Sequence, residues 1–564
     1  VIFLQEVSDS GILTDGKRKS DLIAGMKNYL KAIFLVLFVS LVLSILILAS
    51  TPPVSRDALV HHLAIPKLYL KKGAIYEIPD IPFSYYPMNI DFLYIIPLYF
   101  GNDIIPKFIH FGFALLTAWL VFNYLKSRLD PWWGLLGAIF FLSLPIIVKL
   151  SITVYTDLGL IFFSTASLLL ILKWLEEGFR LKLLLASAVF CGLAMGTKYN
   201  GLITLLVLTL FVPYLYSRFA GDKKGGFFPA IAQAGLFLIV ALLVFSPWMV
   251  RNYCWTHNPI FPLYDHWFRG EEIQSGSSVG FLSYRTLVYG ESWWQMAMLP
   301  VRIFFQGQDG NPQYFDGKLN PFLLFLPLFA FFRARQDPRI IRVEKKILLA
   351  FAGLCFLFAF FSSALRIRYI GPILPPLVIL SVFGMANMVK VGRFFHSRVL
   401  RTFLIFVIFS SALWLNAKYI AHQFVQVKPL DYLTGKITRE EFITRSRPEY
   451  PVMRYINTRL ALDAKILFIH MGNRGYYCDR EYVFDLQGTR SAFQQLVRKS
   501  PDPEKISQGI RGMGVTHLLI HWELFRRWVG SEFDSEDRKK AELFFRQHVR
   551  LEFFHGGYGL FLIL

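Results

Sequence analysis

Residues Tyr29–Ser50, YLKAIFLVLFVSLVLSILILAS, form a nearly unbroken apolar run long enough to cross a bilayer as a helix. Lys17, Arg18, Lys19, Lys27 and Lys31 precede or open it, so the positive-inside rule predicts that residues 1–28 are a cytoplasmic segment and that the chain beyond Ser50 emerges on the outer face. No small-residue cleavage site follows, and the run reads as a retained anchor. The first stretch outside is Ser55–Lys72, SRDALVHHLAIPKLYLKK. Its Leu59, Leu63 and Leu68 recur at helical spacing beside Lys67, Lys71 and Lys72, which predicts a helix lying in the interface. Tyr85-Tyr86-Pro87 breaks the chain, and Asn89–Phe100, apolar but too short to span, predicts a second interfacial helix in an outer loop of about 51–103.

Composition extends this to the whole chain. Its 564 residues are 54% hydrophobic and 17% aromatic with a formal charge of +21, which describes a polytopic membrane protein rather than a soluble one. The basic residues recur in short loops instead of forming one patch, so membrane topology accounts for them and a nucleic-acid partner is excluded. Further spans are predicted at about 104–125, 132–149, 156–175, 182–197, 200–217, 229–250, 320–333, 346–363, 369–389 and 401–420, about eleven in all. Alternation places Lys126 and Arg128, Arg180 and Lys182, then Arg218, Lys223 and Lys224 on the cytoplasmic side. Arg333, Arg335, Arg339, Arg342, Lys345 and Lys346 form another such turn, and Lys390, Arg393, Arg398 and Arg401 a last one. A second outer loop of about 251–319 carries Trp293-Trp294, a pair suited to headgroup depth.

From about residue 425 charges become frequent and apolar runs shrink to strand length. Lys465–Met471, Glu481–Leu486, Val515–Trp522, Val549–Phe554 and Tyr558–Leu564 read as strands, and Ser491–Lys499, Glu504–Arg511 and Glu536–Gln547 as helices. Residues 29–424 are therefore the transmembrane domain and 425–564 an extracytoplasmic α/β domain. Gly472-Asn473-Arg474-Gly475 lacks the GxGxxG order and reads as a turn. The four cysteines show no metal-ligand spacing; Cys191 and Cys355 read as small buried residues, whereas Cys254 and Cys478 both fall on the outer side, where a disulfide is possible.

Two carboxylates stand out. Asp57 lies one helical turn from His61, with His62 adjacent; it can act as a general base at the membrane surface, cap the helix that follows, or join the histidines around a metal. Asp157 lies at the outer mouth of the fourth span, where an ionisable group is a functional candidate or a helix cap. Lys198 in GLAMGTKYNG, Arg251 in PWMVRN, and Arg366 and Arg368 in ALRIRYIGP all run against the inward bias of positive charge. Singly each can be a snorkelling anchor; together they suggest an anion at the outer surface, and phosphate suits arginine through paired hydrogen bonds.

In their order along the chain, Asp57 in the first outer loop, Asp157, the Gly-flanked Lys198-Tyr199 turn and Arg366-x-Arg368-Tyr369 before a Pro-rich span resemble the GT-C glycosyltransferases. The branch most similar contains the protein O-mannosyltransferases and the lipid A aminoarabinose transferase, which use polyprenyl-phosphate sugars. The resemblance reaches to about residue 420. It implies a multi-pass enzyme of the bacterial inner (plasma) membrane that inverts the transferred sugar, with a polyprenyl-phosphate sugar as donor, a glycan, lipid or protein as acceptor, and no obligatory metal. It further implies Asp57 as catalytic base, a donor site of Asp157, Lys198, Tyr199, Arg251, Arg366 and Arg368, and an acceptor pocket shaped by His61, His62 and Tyr86. Two departures stand against it. Protein O-mannosyltransferases have Asp-Glu where this chain has Asp57-Ala58, and a His or Lys before Pro-Pro where it has Tyr86-Pro87-Met88. A lipid-linked-glycan transporter would put charges along a path through the spans, and an O-antigen ligase or polymerase usually carries its large loop late in the chain; both fit this charge pattern less well.

Overall fold

The computed structural model describes residues 16–221, 226–269, 281–332, 336–361, 365–390, 398–485 and 491–564. Lys223, Lys224, Arg333, Arg335 and Arg393 of the topology argument, residues 362–363 of one predicted span and Leu486 of one predicted strand lie outside them. The chain divides into two compact units: residues 1–49, 86–90 and 107–428, and residues 50–85, 91–106 and 429–564.

The first unit is helical, and each predicted span carries a helix. Among the described residues seven helices are long and apolar enough to cross a membrane: Ala32–Ala49, Ile105–Arg128, Asp157–Glu176, Gly201–Phe219, Phe227–Thr256, Ile367–Val389 and Ile405–Val427. The helices Pro131–Ser143 and Pro145–Ser151, bent by 65°, meet the same measure when taken as one broken span. Leu144 holds an extended conformation there because the residue before a proline is excluded from the helical region, and Pro145 has no N–H to continue the ladder. Three predicted spans fall short of that measure. Leu181–Thr197 has 17 residues, Phe322–Phe329 has 8, and Arg339–Phe360 starts with Arg339, Arg342, Glu344, Lys345 and Lys346.

Close contact between the helices comes from small and hydroxyl side chains. Ser167 Oγ donates to the Ser187 carbonyl and Ser187 Oγ to that of Ser167, both at 2.8 Å, locking 157–176 to 181–197. Gly192 lets the latter approach the 227–256 helix so closely that an added Cβ would lie 2.6 Å from the Ala241 carbonyl. At one end of the bundle Arg128 bridges Glu176 and Glu344 at 2.7 and 2.6 Å, and Tyr124 donates to Glu344 at 2.9 Å. The starts of 157–176 and 367–389 and the end of 181–197 meet at the other, as alternating spans require.

The second unit is built on a five-stranded sheet of β1 (Lys465–Ile469), β2 (Glu481–Phe484), β3 (His517–His521), β4 (Val549–His555) and β5 (Tyr558–Ile563), in the order β2-β1-β3-β5-β4. β1 runs parallel to both β2 and β3, while β5 is antiparallel to β3 and β4. Helices Ala492–Lys499, Pro503–Gly512, Trp522–Glu532 and Ser535–Gln547 cover a core that includes Leu467, Ile469, Phe493, Ile510, Leu518, Phe525 and Phe544. The predicted strands are present, four of them slightly shorter and β4 one residue longer; Trp522, read as a strand end, starts a helix. Residues 50–85 belong to the same unit, clasped by the segment after β1: Tyr477 OH donates to the Pro53 carbonyl at 2.7 Å, the Tyr476 N–H to that of Leu59 at 3.3 Å, and Lys67 Nζ to that of Tyr476 at 2.7 Å. Lys67, expected at the interface, also pairs with Asp479 at 2.6 Å. Cys191, Cys355 and Cys478 are buried and Cys254 is exposed.

Candidate functional site

Asp157 opens the 157–176 helix, where the partial positive charge of the helix start favours a carboxylate. Capping is done by other groups. The Leu158 N–H donates to His110 Nε2 at 3.0 Å, and His110 Nδ1 lies 3.0 and 3.1 Å from the Leu150 and Thr153 carbonyls, so the ring proton sits on Nδ1. The Asp157 carboxylate instead turns to Lys198, whose Nζ lies 2.7 Å from Oδ1. Asp157 is 1% exposed, and its Oδ2 is buried without a hydrogen bond. Lys198 reaches it because the 181–197 helix stops at an extended Lys198, and the next helix starts at Gly201, whose Cβ would lie 2.5 Å from the Met195 backbone.

Arg368, also buried, interacts electrostatically with the same carboxylate. Its guanidinium lies 5.0 Å from the Tyr155 ring and 5.4 Å from that of Tyr369, and the Lys198 ammonium is 5.1 Å from Tyr369. The cluster brings two cations, Lys198 and Arg368, to one buried carboxylate.

Tyr86, Tyr199 and Arg251 assemble beside it. Arg251 is sandwiched between Trp248 and Trp255 at 4.6 and 4.9 Å and donates to the Tyr86 carbonyl at 3.1 Å. Asn252 donates to Tyr199 OH at 3.0 Å, which donates to the Phe261 carbonyl at 2.8 Å, and the Tyr86 and Tyr199 rings meet edge to face at 5.3 Å. Burial pushes both phenols up, with Tyr369 adding to the effect at Tyr86, so both stay protonated donors.

Arg366 turns elsewhere. Its guanidinium is 3.5 Å from Asp316, which also takes Lys149 at 2.8 Å; Lys149 reaches Asp309 at 3.2 Å, and Tyr419 OH donates to Asp309 at 2.7 Å. Burial raises the Asp316 carboxyl, but Lys149, the Gly310 N–H and Arg366 outweigh it and hold the group below the usual carboxylate range.

Asp57, His61 and His62 lie in the second unit. Asp57 is half-buried at the start of a π-helical turn, Ala58–His62, and its side chain makes no capping hydrogen bond. That turn replaces the predicted α-helical start; regular helix runs only from Ala64 to Lys72. His61 stacks on Phe83 at 4.4 Å, and His62 Nδ1 is 2.7 Å from Asp91. No group of three or more His, Cys, Asp or Glu able to hold a metal occurs among the described residues.

Sequence reasoning missed His110, Asp91, Lys149, Asp309 and Asp316. His110 and Lys149 carried a signal, as ionisable residues inside predicted apolar spans.

A family model described as dolichyl-phosphate-mannose-protein mannosyltransferase matches residues 104–250. No curated protein matches the chain. The fold is similar to that of ArnT from Cupriavidus metallidurans in the apo state, at 14% identity and a TM-score of 0.57, covering 94% of this chain and 98% of that one. The same protein bound to undecaprenyl phosphate gives 15%, 0.55, 95% and 98%. The apo oligosaccharyltransferase of Archaeoglobus fulgidus gives 12% and 0.50, covering 90% of this chain and 72% of that one. The likeness to these solved structures thus extends to the fold over nearly the full length, and the family-model match lies within residues 104–250.

Proposed function

We propose that the chain transfers a sugar from a polyprenyl-phosphate carrier to an acceptor on the outer face of the membrane, inverting the anomeric centre. The observation carrying this reading is the Asp157–Lys198–Arg368 cluster, in which two cations converge on one buried carboxylate. The donor phosphate lies against Lys198 and Arg368, with Tyr86, Tyr199 and Arg251 shaping the approach and Arg366 holding the neighbouring loop. Asp57 takes the acceptor's proton as the acceptor oxygen attacks the anomeric carbon. The carbon–oxygen bond to phosphate breaks, its electron pair leaves on polyprenyl phosphate, and the two cations neutralise the departing charge. His61 and His62 line the acceptor side. The departing monophosphate needs no divalent ion. The N-terminus is cytoplasmic and residues 425–564 lie outside. The match to a mannosyltransferase model and the undecaprenyl phosphate bound by ArnT support a prenyl-linked donor. Purified protein incubated with a panel of polyprenyl-phosphate sugars is expected to release free polyprenyl phosphate when an acceptor is present; movement of intact donor across vesicles without release would instead indicate a transporter.

A further inference from the structure

The first unit contains a cleft of about 420 Å³ that uses none of the residues assigned above to the donor. It lies between Pro145 at the bend, the 304–321 stretch and the last span, Ile405–Val427. Phe304, Phe305, Leu319 and Leu415 supply its apolar wall, and Lys318, Lys418 and His422 its polar edge. Three features define what it can hold.

First, the polar floor is already satisfied. Asn320 donates to Asn416 at 2.8 Å and to the Ala412 carbonyl at 2.9 Å, and Asn416 donates to Ser143 at 2.9 Å. Second, the carboxylates of the same loop are engaged: Asp309 by Tyr419 and Lys149, Asp316 by Lys149 and Arg366. Among the described residues neither Lys318 nor Lys418 has an ion-pair partner, and the Lys318 ammonium rests 6.0 Å over the Tyr419 ring. Third, the wall continues onto apolar surface of a spanning helix, with Leu415 41% and Trp414 69% exposed and Phe305 at 53% beside it. In a bilayer such surface meets acyl chains. A lone lysine at a helix end is an ordinary interface anchor, but Lys318 comes from a different element, is half-buried, and edges the same cleft as Lys418 and His422.

We propose that this cleft binds the phosphate group of a membrane lipid, with Lys318, Lys418 and His422 around the phosphate and the lipid chain along Leu415 and Phe305. The inference rests on the membrane reading of the spans and not on sugar transfer. Its test is to equilibrate purified full-length protein with mixed micelles of phosphatidylglycerol and phosphatidylcholine and to measure the lipid retained per protein. Wild type is expected to enrich phosphatidylglycerol. K318Q/K418Q should lower that enrichment about tenfold or more at about 1 kcal/mol per lysine. K318R/K418R should keep it, which separates charge from misfolding, and R368Q should leave it unchanged. The proposal is overturned by enrichment that survives K318Q/K418Q, by loss through R368Q alone, or by lysine-dependent binding of inorganic phosphate without any preference for phosphatidylglycerol, which would assign the cleft to a soluble anion.

Discussion

Two of the ion clusters in the first unit are made of the same residue types and differ in arrangement. Around Asp157, two cations face one carboxylate; in the 306–321 loop, Lys149 and Arg366 face Asp309 and Asp316. The second is closed: charges cancel, and the ion pairs tie the loop to the spans. The first is open in the reading proposed above, in which a phosphate joins Lys198 and Arg368 and offsets the cost of burying them. Cations at one membrane face can therefore do different work, and counting them in sequence does not sort them. Arg366 and Arg368 make the point. Arg366 is extended, a 3₁₀ turn begins at Ile367, and two arginines two residues apart enter different clusters.

The largest effect is expected outside both clusters. If the clusters hold and Asp57 reacts, Asp57→Asn should cut transfer by about 10²- to 10⁴-fold while polyprenyl-phosphate binding is kept. Next is Lys198→Met, which removes the ammonium hydrogen-bonded to the buried Asp157 carboxylate, leaves Arg368 in place and should cost about 3 kcal/mol in detergent-solubilised protein. Asp157→Asn/Lys198→Met should recover most of that stability and none of the transfer, which distinguishes a held pair from a working cation. The closed cluster should respond more weakly, with Asp316→Asn costing about 1–2 kcal/mol at neutral pH. Because the folded-state Asp316 carboxyl is held low, its contribution is present in full above the ordinary carboxylate range and is lost as pH falls through the depressed value. The stability gap between wild type and Asp316→Asn should therefore narrow below about pH 4. The smallest effect belongs to chelation: EDTA should leave transfer unchanged, and an EDTA-induced loss restored by a divalent ion would contradict charge neutralisation by Lys198 and Arg368 alone.

Much of the architecture was legible because lipid demands long apolar runs and a half-buried strand demands short ones. The first signal located the spans and the second the five strands within a few residues. Fine structure was not. The apolar spacing of Leu59 and Leu63 does not separate an α-turn from the π-turn that the Leu63 N–H closes on the Ala58 carbonyl at 2.9 Å. Nor did it announce that Lys67 would pair with Asp479, since charges four hundred residues apart meet only through the tertiary fold. In the site, Asp157 and Lys198 were visible as charges out of place at a membrane face. His110 capping the helix that Asp157 opens, and Lys149 drawing Asp316 and Asp309 into a closed network, depended on packing that no local pattern carries.

The most direct test of the open cluster is the affinity for polyprenyl phosphate itself, measured for wild type, Arg368→Gln and Arg366→Gln in the same detergent. Arg368→Gln should weaken binding by about tenfold or more, as expected for losing a charge-assisted contact, and Arg366→Gln should stay within about threefold of wild type. Equal losses from both variants, or a greater loss from Arg366→Gln, would contradict the assignment of the phosphate to the Asp157–Lys198–Arg368 cluster.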